Sequence, residues 1–184
     1  MDQQLVKDCL NGKREAQRKL YTAYADYMLA VCYRYTKSMA DAEDVLQEGF
    51  IKVFNNLKQY KNDGELGAWI RRIMVNTAIN YLKKKSRYNA DLSFSDVTLH
   101  PVTDEDPAVL MGAKELAELI RQLPTGYQTI FNLHAVEGYT HVEIGQLLGI
   151  REGTSRSQYA RARGLLINWI KKNSMVIKDQ VYAQ

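Results

Sequence analysis

Only two cysteines, Cys9 and Cys32, occur in the 184 residues, and both sit at apolar positions of helical patterns. A disulfide-dense scaffold is thereby excluded, and buried thiols are expected in place of a disulfide or a metal site. The three histidines, His100, His134 and His141, show no ligand spacing with each other or with cysteine. No metal and no cofactor are therefore expected. No apolar run approaches the roughly 20 residues of a membrane span, and the mean hydropathy is −0.38, so no membrane insertion is expected. The opening stretch MDQQLVKDCLNGKRE lacks the apolar core of a signal peptide, which makes a cytoplasmic protein the expectation. β-alternation and internal repeats are missing too. So is any nucleophile–base pair or phosphate-cradling glycine loop. What survives is an all-α protein without catalytic residues, with 46% hydrophobic residues to build its cores.

The net charge of +4 is unevenly distributed. Residues 1–87 hold 16 Lys/Arg and 10 Asp/Glu, a balance of +6. Residues 88–107 hold no Lys/Arg and five acids (Asp91, Asp96, Asp104, Glu105, Asp106), a balance of −5. Residues 108–184 hold 9 Lys/Arg and 6 Asp/Glu, a balance of +3. The acidic stretch also contains Pro101, Pro107 and several Ser/Thr without helical periodicity. It reads as a flexible linker between two small helical domains, 1–87 and 108–184. Two basic modules on one tether suit a polyanion touched at two places.

The most informative stretch is YTHVEIGQLLGIREGTSRSQYARAR, Tyr139 to Arg163. Thr140 and Glu143 form a capping box that starts a helix. Ile144, Leu147 and Leu148 give that helix an apolar face. Gly149 supplies a tight turn, since glycine enters the left-handed region at little cost. In the next helix Ser155, Tyr159, Ala162 and Leu166 recur at helical spacing and can pack onto the first. Thr154, Arg156, Ser157, Ala160 and Arg161 are left facing outward. Arginines beside small polar groups on the free face of such a second helix suit the major groove of DNA. A helical hairpin with a solvated basic face has the same pattern.

The remaining periodicities are helical. Asn11 is placed to cap a helix lined by Ala16, Leu20, Tyr24, Tyr27, Met28 and Val31. A second helix runs from about Ala40 to Leu57, with Val45, Phe50, Val53 and Phe54 apolar. A polar loop, QYKNDGEL, covers 59–66, and a third helix runs from about Gly67 to Arg87. Along that third helix Ile70, Ile73, Met74, Thr77 and Tyr81 should face a core. Arg72, Asn76, Asn80, Lys83 and Arg87 form a stripe on the other side, with amides for bases and cations for phosphates. Asp106 and Pro107 read as the cap and first residue of a helix lined by Leu116, Leu119, Ile120 and Leu123 and ended by Pro124. Thr125 starts another, carrying Ile130, Phe131 and Val136, which Gly138 closes. The tail after Lys172 is weakly patterned. Acids concentrate in DAEDVLQEGF, where Asp41, Asp44 and Glu48 share a face. Such a cluster serves a metal, a basic partner or plain solvation, though the Glu-x-x-His of helical carboxylate metal sites is missing.

DAEDVLQEGFIKVF, WIRRIMVNTAINYLKK and LPTGYQTIFNLHAVEGYTHVEIGQLLGIREGTSRSQYARAR follow one another in an order and spacing that resembles the bacterial sigma factors of the extracytoplasmic-function group. The resemblance covers about residues 5 to 170. It implies a sigma-2-like and a sigma-4-like helical domain on a tether, without the larger regions of housekeeping sigma factors. It further implies a cytoplasmic transcription initiation factor whose partners are core RNA polymerase, promoter DNA and an anti-sigma factor. By motif, Asp41, Asp44, Gln47 and Glu48 fall in the segment that binds the polymerase clamp helices. Asn62 and Asp63 fall in the loop that holds a flipped base of the −10 element, with Arg72, Asn76, Asn80 and Lys83 on the helix beside it. Thr154, Arg156, Ser157, Ala160 and Arg161 fall on the helix that reads the −35 element. Several positions depart from the common pattern. Val75 replaces a basic residue, Asn80 an aspartate, Gly145 an alanine, Ser155 a valine and Arg151 a serine or proline.

The physics fits that role. A fitted pocket and stacking can offset the few kcal/mol of flipping a base, so melting needs no hydrolysis. Twenty linker residues reach roughly 65 Å when extended, against roughly 50 Å between elements about one and a half helical turns apart. Two other readings compete. One is a two-domain helix-turn-helix regulator that is not a polymerase subunit. The other is a metal-dependent nucleic-acid-modifying enzyme using the acidic cluster.

Overall fold

In the computed structural model the described residues are 2–61, 64–88 and 112–181. They are helical throughout their regular structure and divide into two compact units, 1–89 and 90–184. The positions expected to form the acidic linker, and the helix start at Asp106 and Pro107, lie almost wholly or wholly outside the described residues.

The first unit holds α1 (Asp2–Leu10), α2 (Arg14–Tyr33), α3 (Met39–Asn56) and α4 (Leu66–Tyr88), with a short 3-10 turn, Leu57–Gln59, after α3. The periodic reading places Cys9 at an apolar helical position but gives α1 no bounds. The helix buries only Val6 and Cys9, too few positions to announce a nine-residue helix. The reading also misassigns a cap. Asn11 lies in the turn between α1 and α2, and the N-cap of α2 is Lys13, whose side chain makes no capping bond. Along α2, Ala16, Leu20, Met28, Val31 and Cys32 are buried, but Tyr27, expected to line the core, is 52% exposed. Its hydroxyl instead accepts a bond from Arg71 Nη1 at 3.0 Å. The start of α3 is well specified, since Ser38 Oγ accepts from the Asp41 amide at 3.1 Å, a cap worth about 1 kcal/mol. Cys9 and Cys32 are free, buried thiols, and burial pushes Cys32 up to about 12.

Helix α4 packs against both α2 and α3. Ile70, Met74 and Thr77 are buried as expected, but so are Val75, Ala78, Ile79 and Leu82. Two packing partners require two buried sides, which explains an apolar Val75. The α3–α4 seam is tight at Gly49, where a Cβ would lie 2.2 Å from Met74 Sδ.

The second unit holds α5 (Ala113–Gln122), α6 (Thr125–Phe131), α7 (His141–Leu148) and α8 (Glu152–Val181). A π-helical turn, Asn132–Val136, prolongs α6, and Gly138 closes it at φ 78°. Val136, expected among its apolar residues, is 38% exposed. Leu119, Leu123, Tyr127, Ala162, Leu166 and Ile170 form one core cluster, and Ile130, Leu133 and Ile144 are fully buried as well. Leu116, Ile120, Phe131, Leu165 and Trp169 pack against the cluster. The weakly patterned tail continues α8 as helix to Val181.

Gly49→Ala should cost about 1–3 kcal/mol, because the added methyl forces the buried Met74 thioether out of its present rotamer. Amide hydrogen exchange across α3 and α4 reads the loss. The cost should shrink when Met74 is alanine, since contacting residues couple.

Candidate functional site

Three surfaces carry the sequence-derived site residues. On α3 the acids divide by environment. Asp41 is half-buried and turned onto α4. Its carboxylate accepts from Tyr81 Oη at 2.6 Å and from Lys85 Nζ at 3.1 Å. The Tyr81 hydrogen bond, followed by those of Lys85 and Ser38, outweighs burial and holds Asp41 below the usual carboxylate range. Glu48 pairs with Lys52 at 2.6 Å, and Lys52 also reaches Thr77 Oγ1 across the seam at 3.3 Å. Asp44 and Gln47 remain exposed. Ile51, one turn on, is 61% exposed. Periodicity alone gives no reason to single it out, and it extends the exposed surface of Asp44, Gln47 and Glu48 by one apolar side chain. Along the face that Asp41, Asp44 and Glu48 share, the three differ in task, although Glu48 lines the same groove as Asp41's partners Tyr81 and Lys85. The first braces α4, and the outward surface is Asp44, Gln47, Glu48 and Ile51. Among the described residues no group of three or more His, Cys, Asp or Glu could hold a metal ion.

On α4 Arg72 and Asn80 are exposed, and Asn76 and Lys83 are half-buried. A groove of about 410 Å³ runs beside them, lined by Glu48, Asn80, Tyr81, Lys84 and Lys85. Asn62 and Asp63 lie outside the described residues, but the chain on either side is anchored. Tyr60 packs on Trp69 with ring centroids 5.6 Å apart, and its hydroxyl donates to the Gly64 carbonyl. The two ends of the loop are thereby held close to the start of α4.

On the second unit the capping box forms as read. The Glu143 amide donates to Thr140 Oγ1 at 3.2 Å, and Glu143 Oε2 accepts from the Thr140 amide at 2.8 Å. Gly149 ends α7 at φ 74°. Gly145 is needed for a further reason. A Cβ there would lie 2.9 Å from the Ile150 carbonyl oxygen, so the turn passes directly over it. Ser155 and Ala162 are fully buried, and Tyr159 is half-buried. Gln158, close in sequence to the outward polar groups, is 1% exposed and belongs to the interior. Arg156, Ser157 and Ala160 are exposed, and Thr154 and Arg161 are half-buried. Arg156 donates through Nε at 2.9 Å, and through Nη2, to Glu152 Oε1.

Behind this helix lies a ring cluster that the sequence did not announce. His134 stacks on His141 with centroids 4.2 Å apart, and Tyr159 meets His134 edge-on at 4.6 Å. His134 Nδ1–H donates to the Tyr139 carbonyl at 2.8 Å, and His141 Nδ1 bonds Ser155 Oγ at 2.9 Å. Burial, followed by the charges of His134 and Arg156, lowers the His141 pKa against the opposing pull of Glu152.

Comparison with known proteins follows the same division. Residues 20–88 match the family model of Sigma-70 region 2, and residues 113–166 that of Sigma-70, region 4. The chain is 31% identical over 181 residues to the ECF RNA polymerase sigma-E factor of Haemophilus influenzae, covering 92% of this chain and 95% of that one. It is 32% identical over 176 residues to the RNA polymerase sigma-H factor of Pseudomonas aeruginosa, covering 88% and 90%. It is 29% identical over 175 residues to the ECF RNA polymerase sigma factor SigW of Bacillus subtilis, covering 88% and 92%. The crystallised sigma factor RpoE of Bartonella quintana, in complex with the anti-sigma factor NepR, shares the fold. Its TM-score is 0.51 at 18% identity, over 84% of this chain and 96% of that one. Two helical units matching regions 2 and 4 define a sigma-70-type protein. With these relatives, the chain belongs to the extracytoplasmic-function group of sigma factors, which are transcription initiation factors. No helix among the described residues is long and apolar enough to cross a membrane.

A lowered His141 pKa means that folding favours the neutral ring. Its contribution to stability is complete above the unfolded value of about 6.5 and is lost as pH falls through the folded value. Hydrogen-exchange protection of α7 and of the start of α8 should therefore decline on acidification below about pH 6.5. His141→Phe, which keeps an aromatic ring in the stack, should flatten that decline.

Proposed function

We propose that this chain binds core RNA polymerase through the outward face of α3 and directs it to promoter DNA. Asp44, Gln47 and Glu48 make the polymerase contact, and Asp41 contributes by holding α3 against α4. The loop containing Asn62 and Asp63, with Arg72, Asn76, Asn80 and Lys83, engages the −10 element once its bases leave the stack. Thr154, Arg156, Ser157, Ala160 and Arg161 of α8 engage the −35 element in the major groove. The observation that carries the reading is the exposed N-terminal half of α8. It is set at a fixed angle by the capping box and by the Gly145 and Gly149 turn, with its buried side spent on Ser155, Gln158 and Ala162.

The protein acts by binding alone, in the cytoplasm, and has no catalytic residues. Stacking and a fitted pocket supply the few kcal/mol needed to capture an unstacked base. An anti-sigma factor is a further partner in this proposal. The Bartonella sigma factor of similar fold was crystallised with one.

Asp44→Lys with Glu48→Lys should abolish co-purification with core polymerase while helical circular dichroism persists. Undiminished binding would remove α3 from the interface.

Alanine at Asn62, Asp63 and Asn80 together should leave core binding and closed complexes intact. It should reduce permanganate reactivity of thymines near the start site, because the loop can act only on unstacked bases. A normal opening rate, or polymerase binding lost first, would count against the assignment.

A further inference from the structure

Residues 151–172 carry six Lys/Arg and a single acid, Glu152. That acid stands at the first position of α8, the end of a recognition helix that meets base edges. A carboxylate at the point of closest approach to a polyanion is unfavourable unless it has a task there. Its partner indicates the task. Arg156 Nε and Nη2 both donate to Glu152 Oε1, with the Nε bond at 2.9 Å. The pair is one helical turn apart and largely exposed, with side-chain accessibilities of 65% for Arg156 and 43% for Glu152.

We propose that Glu152 is a specificity-determining residue that makes Arg156 a reader of bases in place of a binder of phosphates. The inference rests on the proposed −35 role of α8. An unrestrained arginine binds a phosphate as readily as a guanine, because both offer paired acceptors to its planar fork. Here the Nε–Nη2 edge is occupied by the carboxylate. The Nη1–Nη2 edge points away from it, with two donors in the spacing of guanine O6 and N7. The carboxylate also repels an approaching phosphate, which carries a full negative charge, more strongly than a neutral base edge. Specificity here comes as much from penalising the wrong contact as from strengthening the right one.

The test uses the full-length chain as holoenzyme with core polymerase. A randomised upstream element is selected on the wild type, and affinities for selected and scrambled DNA are then measured across a salt series. Glu152→Gln should raise affinity for scrambled DNA roughly three- to tenfold. It should steepen the slope of log affinity against log salt by about 0.9, one more phosphate contact. Base preference at one selected position should relax. In an Arg156→Ala background the same substitution should no longer change base preference. Unchanged discrimination and an unchanged salt slope in Glu152→Gln would overturn the inference, as would an equal loss of preference with and without Arg156. If the wild-type holoenzyme selects no upstream sequence at all, the −35 role of α8 itself fails, and with it this refinement.

Discussion

Gly49 lets α3 approach α4 so closely that Met74 occupies the space a side chain on α3 would need. Along the same seam Lys52 reaches Thr77, and Asp41 accepts from Tyr81 and Lys85. One line of contact thus sets the rotation of both helices about their axes. Once that rotation is set, so are their outward faces. α3 turns out Asp44, Gln47 and Ile51, and α4 turns out Arg72 and Asn80. The proposed polymerase and DNA surfaces of this unit are two sides of one packing decision. A shift along the seam would misplace both.

The second unit reaches a comparable precision by local means. A capping box starts α7, a left-handed glycine ends it, and Gly145 lets the connecting turn lie on the helix. Each is short in sequence range, so the geometry of the turn depends little on contacts made by the cluster of Leu119, Leu123, Tyr127, Leu166 and Ile170. The buried side of α8 includes polar Ser155 and Gln158. Ser155 is bonded to His141 and through it to the histidine stack. The start of α8 therefore rests on the ring stack, and its stability is tied to pH through His141, whose neutral form folding favours.

A factor that melts DNA without hydrolysis has only contact energy to spend, and the surfaces reflect this. Exposed cations supply fast, salt-sensitive association that carries no sequence information. Discrimination needs groups whose approach is constrained. In the proposed reading, the anchored ends of the loop before α4 and the ion-paired Arg156 are constraints of that kind. Asp41 belongs with them, since its value lies in what it holds in place.

The helix-turn-helix was legible from residues alone because its determinants act within a few positions of each other. Thr140 with Glu143, Gly149, and the spacing of Ile144, Leu148, Ala162 and Leu166 all behave as local chemistry requires. The same holds for α3, whose cap and apolar stripe are read within one helix. What the sequence by itself determined was the all-α class, most of the helices and the residues facing each core. Tertiary structure decided the rest. Asp41 finds its partners 40 and 44 residues away, Tyr27 turns outward to meet Arg71, and Val75 is buried because α4 has two neighbours. Periodicity reports that a side of a helix is apolar. It does not report which helix covers it, or which polar group across the seam will claim a carboxylate.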